Sequence, residues 1–124
     1  MLNTSPLKSV LSALLLLACS VASADDVVKP FVLAATIDSG DISTISKDAR
    51  EKLLNAGFEV IGEYAPYQGA NILVISNQPL RDLASRSARG GYGAALRVSI
   101  TSNDGKIELA YTNPLYWTSS YRMQ

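Results

Sequence analysis

The sequence predicts an α+β protein, a two-layer sandwich in which a mostly antiparallel five-stranded sheet carries two helices on one face. Three observations lead to this class. Two segments space their apolar residues as amphipathic helices do, and five short segments alternate or run continuously apolar, as strands do. Between the last two of these strands, Asp104-Gly105 is a two-residue hairpin turn signal. The predicted order is strand–helix–strand–strand–helix–strand–strand.

The N-terminal segment 1–24 has the features of a secretory signal peptide, which leaves residues 25–124 as a single α+β domain. Lys8 supplies the positive charge, residues 10–18 the apolar stretch, and Ala22-Ser23-Ala24 the small residues before the cleavage point. This apolar stretch is shorter than the roughly 20 residues needed to span a bilayer. We therefore expect a periplasmic or secreted protein with no transmembrane anchor.

The leader also has a second interpretation, in which the protein is a lipoprotein. Leu16-Leu17-Ala18-Cys19 resembles a bacterial lipobox, where the thiol of Cys19 would be acylated and would anchor the mature chain. Cleavage after Ala24 is favoured because small residues precede this point and acidic residues follow it. Intact mass separates the two, since an acylated chain would begin at Cys19 and would be heavier.

The first part of the domain predicts a strand followed by the most regular helix of the chain. Residues 30–36 form the strand, with Pro30 restricted to its start or to a sheet edge. Asp41 can cap the helix, and Gly57 can adopt the left-handed conformation that ends it. The apolar stripe at steps of three and four consists of Ile42, Ile45, Ala49, Leu53 and Ala56.

Two strands and a second helix follow. Residues 58–64 alternate, and residues 70–76 are apolar on both faces, which is typical of an interior strand or of one covered by a partner. Asn77 can cap the next helix, and Pro79 suits a first turn because that turn leaves amide groups unpaired. Gly90-Gly91 is predicted to end this helix.

Residues 94–111 predict a hairpin with one apolar face, and Asn113-Pro114 begins a last turn or short helix. A register slip by one residue would invert both faces, so the turn and the pattern support each other. Counting from the turn pairs Asn103 with Lys106, Ile100 with Leu109, and Val98 with Tyr111. The opposite face carries Arg97, Ser99, Thr101 and Glu108.

The element order and three segments resemble the Domain of Unknown Function 302 family, and in particular its secreted bacterial members. The segments are GEYAPYQGANILVIS, GGYGAALRVSI and YTNPLYW, and the resemblance covers roughly residues 30–122. The resemblance implies a sandwich of the TATA-binding-protein-like type that is often dimeric, and it implies no established activity. A homodimer is therefore expected.

One position departs from the family pattern. Members usually carry cysteine–asparagine–proline before the second helix, whereas this chain has Ser76 there and places Gln78 between Asn77 and Pro79. A role of that cysteine cannot be transferred to this protein.

Composition excludes several classes of site. The chain has no histidine and one cysteine, which excludes imidazole-based catalytic triads, histidine-ligated zinc and internal disulfides. No metal site or cofactor is expected. Eleven basic and eleven acidic side chains give no net charge, so a general electrostatic attraction to nucleic acid is not expected.

The first candidate for ligand binding is the segment Arg89-Gly90-Gly91-Tyr92-Gly93. Consecutive glycines can direct backbone N–H groups at an anion, and Arg86, Arg89 and Arg97 lie close in sequence. The spacing is neither that of a P-loop nor that of a dinucleotide-binding turn. The structural alternative is a helix stop followed by a loop whose glycines need positive φ.

The aromatic segments are the second candidate. Tyr64 and Tyr67 flank a proline, and the C-terminal segment carries Tyr111, Tyr116, Trp117 and Tyr121. Such side chains present a flat apolar body with a polar tip, which suits stacking against a ligand or partner. The alternative is that they close one end of a small core.

The carboxylates of the second strand are the third candidate. On a regular strand Glu59 and Glu63 share one face about 13–14 Å apart, which is too far for a two-carboxylate glycosidase site. They are expected to be solvated instead.

These features favour a secreted, non-enzymatic binding or interaction module of the cell envelope that dimerises or docks through the free sheet face. Its ligand is a small molecule or a protein. In the alternative, the protein is an enzyme or sensor that acts on a small anionic ligand through the Arg/Gly-rich loop. The ligand-binding residues predicted across both hypotheses are Arg89, Gly91, Tyr92, Arg97, Tyr64, Tyr67 and Trp117.

Overall fold

The structure is a computed structural model that describes residues 27–123. The predicted signal peptide at 1–24 and the alternative acylation site Cys19 lie outside the described residues. The strands are β1 (Phe31–Ile37), β2 (Glu59–Tyr64), β3 (Ala70–Ser76), β4 (Leu96–Asn103) and β5 (Lys106–Thr112). The helices are α1 (Ile42–Asn55), α2 (Gln78–Ser85) and α3 (Pro114–Ser120), with a 3₁₀ turn at Gly90–Gly93.

The five strands form one antiparallel sheet in the order β1-β5-β4-β3-β2, which confirms the predicted α+β class. Strand β3 lies between β2 and β4, as its doubly apolar pattern predicts. The hairpin register is also confirmed, because Ile100 pairs with Leu109 and Val98 pairs with Tyr111. The two-residue turn fixes which residues pair. In this register the alternate apolar side chains of both strands face the core.

Two β-bulges interrupt the alternation that the sequence suggests. In β2, Val60 pairs with Ile75 but Gly62 pairs with Val74, so Ile61 is the extra residue. The bulge reverses the phase of the strand and places Glu59 and Glu63 on opposite faces. The prediction that these two carboxylates share a face is therefore wrong. A second shift lies in β1 between Leu33 and Ala35.

The helices begin where their caps predict. The Asp41 carboxylate accepts a hydrogen bond from the Thr44 amide at 3.1 Å, and the Asn77 side chain accepts one from the Leu80 amide at 2.9 Å. Gly57 follows α1 with φ of 87°, in the left-handed region. The chain from Asn113 forms a third helix, so the described part of the sandwich carries three helices rather than two.

The end of α2 differs from its prediction. The helix ends at Ser85, before Gly90-Gly91, and these glycines start the 3₁₀ turn instead. None of the glycines in this turn has a positive φ. A Cβ at Gly90 would overlap the carbonyl oxygen of Ala84, so close packing of the turn against α2 requires glycine there.

The core lies on one face of the sheet. Leu73 and Ile100 are completely buried there, and Ala49 of α1 belongs to the same cluster. Leu80 of α2 and Trp117 of α3 pack against that cluster. All three helices thus contact one side of the sheet, which we call the covered face.

The opposite side of the sheet, the open face, has no helix over it in the described part of the chain. The registers place alternate strand residues on it, and several are large and apolar. Phe31 and Leu33 are each 57% exposed, and Tyr64 is 47% exposed. The side chains that carry this surface are Phe31, Leu33, Tyr64, Ile72, Val74, Arg97, Ser99 and Thr101.

Candidate functional site

A solvent-open cavity of about 1110 Å³ lies where the 3₁₀ turn meets the C-terminal segment. We call it the Arg–Tyr cavity. Its walls come from the segment after α2 and from the end of α3, two parts of the chain that are far apart in sequence. The lining residues are Ser87, Ala88, Arg89, Tyr92, Ser120, Tyr121 and Arg122.

A hydrogen bond and close packing hold the two walls together. The Ser87 hydroxyl donates to the Arg122 carbonyl at 2.9 Å, whereas the bond from the Met123 amide to the Thr118 carbonyl at 2.9 Å stabilises the C-terminal wall itself. Met123 is buried, and a Cβ at Gly93 would overlap its sulfur. Glycine at this position therefore lets the C-terminal segment dock against the turn.

Arg122 has an unusual backbone conformation. Its φ is 52°, in the left-handed region that non-glycine residues seldom occupy. The hydrogen bond from Ser87 to the carbonyl of Arg122 and the burial of Met123 fix this conformation from both sides. The chain turns at Arg122, and this turn brings the residue into the wall of the cavity.

Aromatic rings form a continuous stack behind and within the cavity. Tyr92 and Tyr121 are stacked with centroids 6.0 Å apart and planes at 25°. Tyr121 in turn meets Trp117 edge to face at 5.3 Å and 77°. Since Trp117 packs against the core, the stack links the cavity wall to the rigid interior. Tyr92 remains 74% exposed, so its outer ring face is available for a ligand.

The backbone of the 3₁₀ turn supplies few free donors. The amide of Gly90 donates to the Ser87 carbonyl at 2.9 Å, and that of Tyr92 donates to the Arg89 carbonyl at 3.3 Å. The amide of Ala94 likewise donates to the Gly91 carbonyl at 3.3 Å. An anion here must depend mainly on side chains, because these three N–H groups are already paired.

The side chains of the cavity provide positive charge. Neither Arg89 nor Arg122 makes a salt bridge with a carboxylate within residues 27–123, and both are exposed. Among the residues that the structure describes, no acidic side chain lines the cavity. The hydroxyls of Ser120 and Tyr121 add neutral hydrogen-bonding groups, although the Ser120 hydroxyl already donates to the Tyr116 carbonyl at 2.8 Å.

The structure brings together only part of the predicted site. Arg89 and Tyr92 line the Arg–Tyr cavity, Gly91 lies exposed beside it, and Trp117 supports it from behind. Arg97, by contrast, lies in β4 on the open face, where it pairs in register with Val74.

Two predicted tyrosines lie elsewhere. Tyr64 is at the end of β2 on the open face, and Tyr67 belongs to the following loop, where its carbonyl accepts from the Ala70 amide at 3.2 Å. Neither lines the cavity. Sequence reasoning missed Ser87, Ser120 and Arg122, because no local signal in the C-terminal segment indicates that it docks on the 3₁₀ turn.

The carboxylates of β2 are engaged in ion pairs. Both terminal guanidinium nitrogens of Arg81 donate to the carboxylate oxygens of Glu59, at 2.9 and 3.1 Å, and these hydrogen bonds hold the pKa of Glu59 below its ordinary value. Hydrogen bonds from Asn71 at 2.8 Å and from Arg50 at 2.6 Å lower the pKa of Glu63 in the same way. Both groups are charged at neutral pH and connect β2 to its neighbours.

A second concavity, which we call the apolar groove, lies on the covered face. It has a volume of about 350 Å³, and every atom on its surface is carbon. Helix α1 packs over β2, β3 and β4, so it leaves the part of the covered face nearer β5 and β1 less protected. The groove runs along this gap between Leu53, Val98, Leu109, Tyr111 and Pro114.

Within residues 27–123, no group of three or more potential metal-ligating side chains is assembled. No helix in that range is long and apolar enough to cross a membrane.

No protein-family model matches the chain, and no curated protein matches it. The resemblance to the Domain of Unknown Function 302 family stays a prediction.

Proposed function

We propose that this protein is a secreted, non-enzymatic binding module whose ligand is a small anion with a planar group, held in the Arg–Tyr cavity. The observation that carries the proposal is the convergence of Arg89, Arg122 and the stacked Tyr92–Tyr121 pair on one cavity that no carboxylate of residues 27–123 lines. These residues come from separate elements, and their convergence depends on a docked C-terminal segment.

The chemistry of these groups defines the ligand. A guanidinium presents a planar fork of N–H donors that matches carboxylate and phosphate oxygens, and its charge persists at all physiological pH values. The exposed face of Tyr92 suits a flat ring, since aromatic pairs stack with offset planes. An aromatic carboxylate satisfies both requirements, with its charge at the arginines and its ring on the tyrosine.

The partner in solution is proposed to be a second copy of the chain, joined through the open face. Leu33, Tyr64 and Ile72 lie in one row across the sheet with Ser99 and Ala110. A monomer that exposes Phe31 and Leu33 at 57% each leaves contiguous apolar surface in water, which is costly. Pairing two such faces removes this cost for both copies.

Thermal unfolding with benzoate, inorganic phosphate and sulfate tests the ligand. A ligand at ten times its Kd stabilises the folded state by about 1.4 kcal/mol, enough to raise Tm by several degrees. We expect benzoate to raise Tm more than sulfate does, and Arg89→Gln or Arg122→Gln to reduce the rise. Arg86→Gln is the matched control, because Arg86 is exposed in the same segment as Arg89 but does not line the cavity. An equal loss in all three variants, or no rise with any anion, contradicts the proposal.

Sedimentation velocity over a range of protein concentrations tests the dimer. We expect Leu33→Asp to weaken association because it places a charge in the apolar face. Leu54→Asp is the control, since Leu54 is similarly exposed at 51% but lies on α1. A strict monomer at high concentration, or equal effects of the two variants, contradicts the interface.

A further inference from the structure

The apolar groove lies on the face opposite the proposed dimer interface and away from the Arg–Tyr cavity, so neither proposal uses it. Its volume of about 350 Å³ falls within the range of small-molecule sites, roughly 300–1,000 Å³. Its floor consists of strand residues of the core, including Ile75, Leu96 and Val98. The floor is therefore rigid, and the groove is a feature of the packed domain.

Polar residues border the groove, but their polar atoms do not reach its surface. The Thr112 hydroxyl accepts a hydrogen bond from the Arg97 amide at 3.0 Å, which keeps it turned away. Lys52 of α1 lines the groove with its methylene chain alone, because the surface is carbon throughout. Its ammonium group must therefore lie beyond the rim, as lysine side chains commonly arrange themselves at apolar surfaces.

Lys52 is also available to a ligand. Within residues 27–123 it makes no salt bridge, whereas Arg50 in the same helix is paired with Glu63. The groove thus combines a carbon-lined surface with one cation at its edge. This combination complements a molecule that has one apolar chain and one terminal negative charge.

We propose that the apolar groove binds a single-chain fatty carboxylate, with the alkyl chain in the groove and the carboxylate at the ammonium group of Lys52. A second copy of the chain fits the groove less well. The groove is a concavity of only about 350 Å³ with a charged rim, whereas the open face offers a broader surface on the other side of the sheet.

Isothermal titration with octanoate, decanoate and dodecanoate, each below its micelle concentration, tests the alkyl chain. Burial of each added methylene contributes up to about a fourfold gain in affinity. We expect Kd to fall with chain length until the groove is filled. An affinity that does not depend on chain length overturns the proposal.

Ala34→Trp is the blocking variant, since Ala34 is exposed and lines the groove, so the indole fills the space without disturbing the core. Ser39→Trp is its control just beyond the same strand, because Ser39 is exposed and lines neither the groove nor the Arg–Tyr cavity. We expect Ala34→Trp to abolish dodecanoate binding and Ser39→Trp to preserve it, with circular dichroism confirming that both fold. Unchanged binding by Ala34→Trp overturns the proposal.

Lys52→Met tests the carboxylate, because methionine keeps an apolar chain and removes the charge. We expect dodecanoate to bind about two- to fivefold more weakly, the effect of one exposed ion pair, and dodecanol to be unaffected. Lys47→Met is the control on the same helix, outside the groove. Equal effects of the two lysine variants overturn the assignment. If the groove instead becomes occupied as protein concentration rises, and dodecanoate does not change this, the occupant is a second copy of the chain and the proposal is overturned.

Discussion

The covered and open faces of the sheet are built from alternate residues of the same strands, yet they differ sharply in burial. On the covered face, Leu73 and Ile100 have no exposed surface, whereas Phe31 and Leu33 on the open face are each 57% exposed. Both faces carry large apolar side chains. One layer of helices is therefore enough to form the core, and the remaining apolar surface is available for partners.

The two concavities show a similar contrast. The apolar groove is lined by side chains of regular elements, so its surface is carbon over a rigid floor. The Arg–Tyr cavity is lined by a turn and a chain end, which present arginine, serine and tyrosine to solvent. Regular elements bury apolar chains, and irregular segments display polar ones.

The largest expected effect separates the two faces directly. Leu73→Ala should lower the free energy of unfolding by about 2–5 kcal/mol, because it removes buried methyl groups and leaves a cavity. Leu33→Ala should change it by less than about 0.5 kcal/mol at dilutions where the monomer predominates. Urea unfolding measures both values, and comparable losses would show that the open face is covered within one chain.

The next largest effect on stability is expected in the 3₁₀ turn, where one glycine is closely packed and its neighbour is not. Gly90→Ala should cost about 1–3 kcal/mol or more, because its Cβ would overlap the Ala84 carbonyl, which cannot rotate away. Gly91→Ala should be close to neutral, since no atom lies within 4 Å of that Cβ. Thermal unfolding of the two variants distinguishes close packing from a general requirement for flexible backbone, under which the losses would be equal.

Replacing two buried serines with alanine should change the free energy of unfolding by smaller amounts, with opposite signs at the two positions. The Ser76 hydroxyl donates to the Ala94 carbonyl at 2.6 Å, so Ser76→Ala should cost about 1–2 kcal/mol. The Ser46 hydroxyl is buried without a partner among the described residues, so Ser46→Ala should stabilise by up to about 1 kcal/mol. Chemical denaturation of both variants measures the difference. A loss in Ser46→Ala would indicate a bound water at that hydroxyl.

The smallest effect concerns the ion pairs of β2 and their dependence on pH. Hydrogen bonds from Asn71 and Arg50 lower the pKa of Glu63 below its unfolded value, near 4.5. The stabilisation is therefore present above that value and is lost as pH falls through the lower folded pKa. We expect Glu63→Gln to reduce the loss of stability on acidification.

Glu51→Gln provides the control for this pH effect. Glu51 is exposed on α1 and makes no salt bridge within residues 27–123. Urea midpoints measured between neutral pH and about pH 3 should depend on pH less in Glu63→Gln than in Glu51→Gln. Parallel pH profiles would show that solvent screening removes the contribution of the Glu63 ion pair.

Short-range signals predicted much of the fold. The Asp41 and Asn77 caps, the left-handed Gly57 and the Asp104-Gly105 turn each depend on residues a few positions apart, and each lies where expected. The hairpin register followed from the same turn. Local hydrogen bonds and backbone conformations decide such features, so a single stretch of sequence contains the information for them.

The failures involve features that depend on distant contacts. The bulge at Ile61 reversed the phase of β2, and the packing of Gly90 on Ala84 placed the glycines in a 3₁₀ turn after α2 had ended. Arg122 entered the candidate site because the C-terminal segment docks on that turn. None of these contacts has a signature within its own segment.

Local sequence patterns were enough to place the helices and strands, their capped ends and the core-facing residues of the last hairpin. The shared cavity of Arg89 and Arg122, the position of Arg97 outside it and the groove beside α1 followed only from the packing of distant segments. The two groups of features differ in the range of the interactions that produce them. Hydrogen-bonded turns and apolar periodicity act between near neighbours, whereas cavities arise where side chains from distant segments fail to fill the space between them.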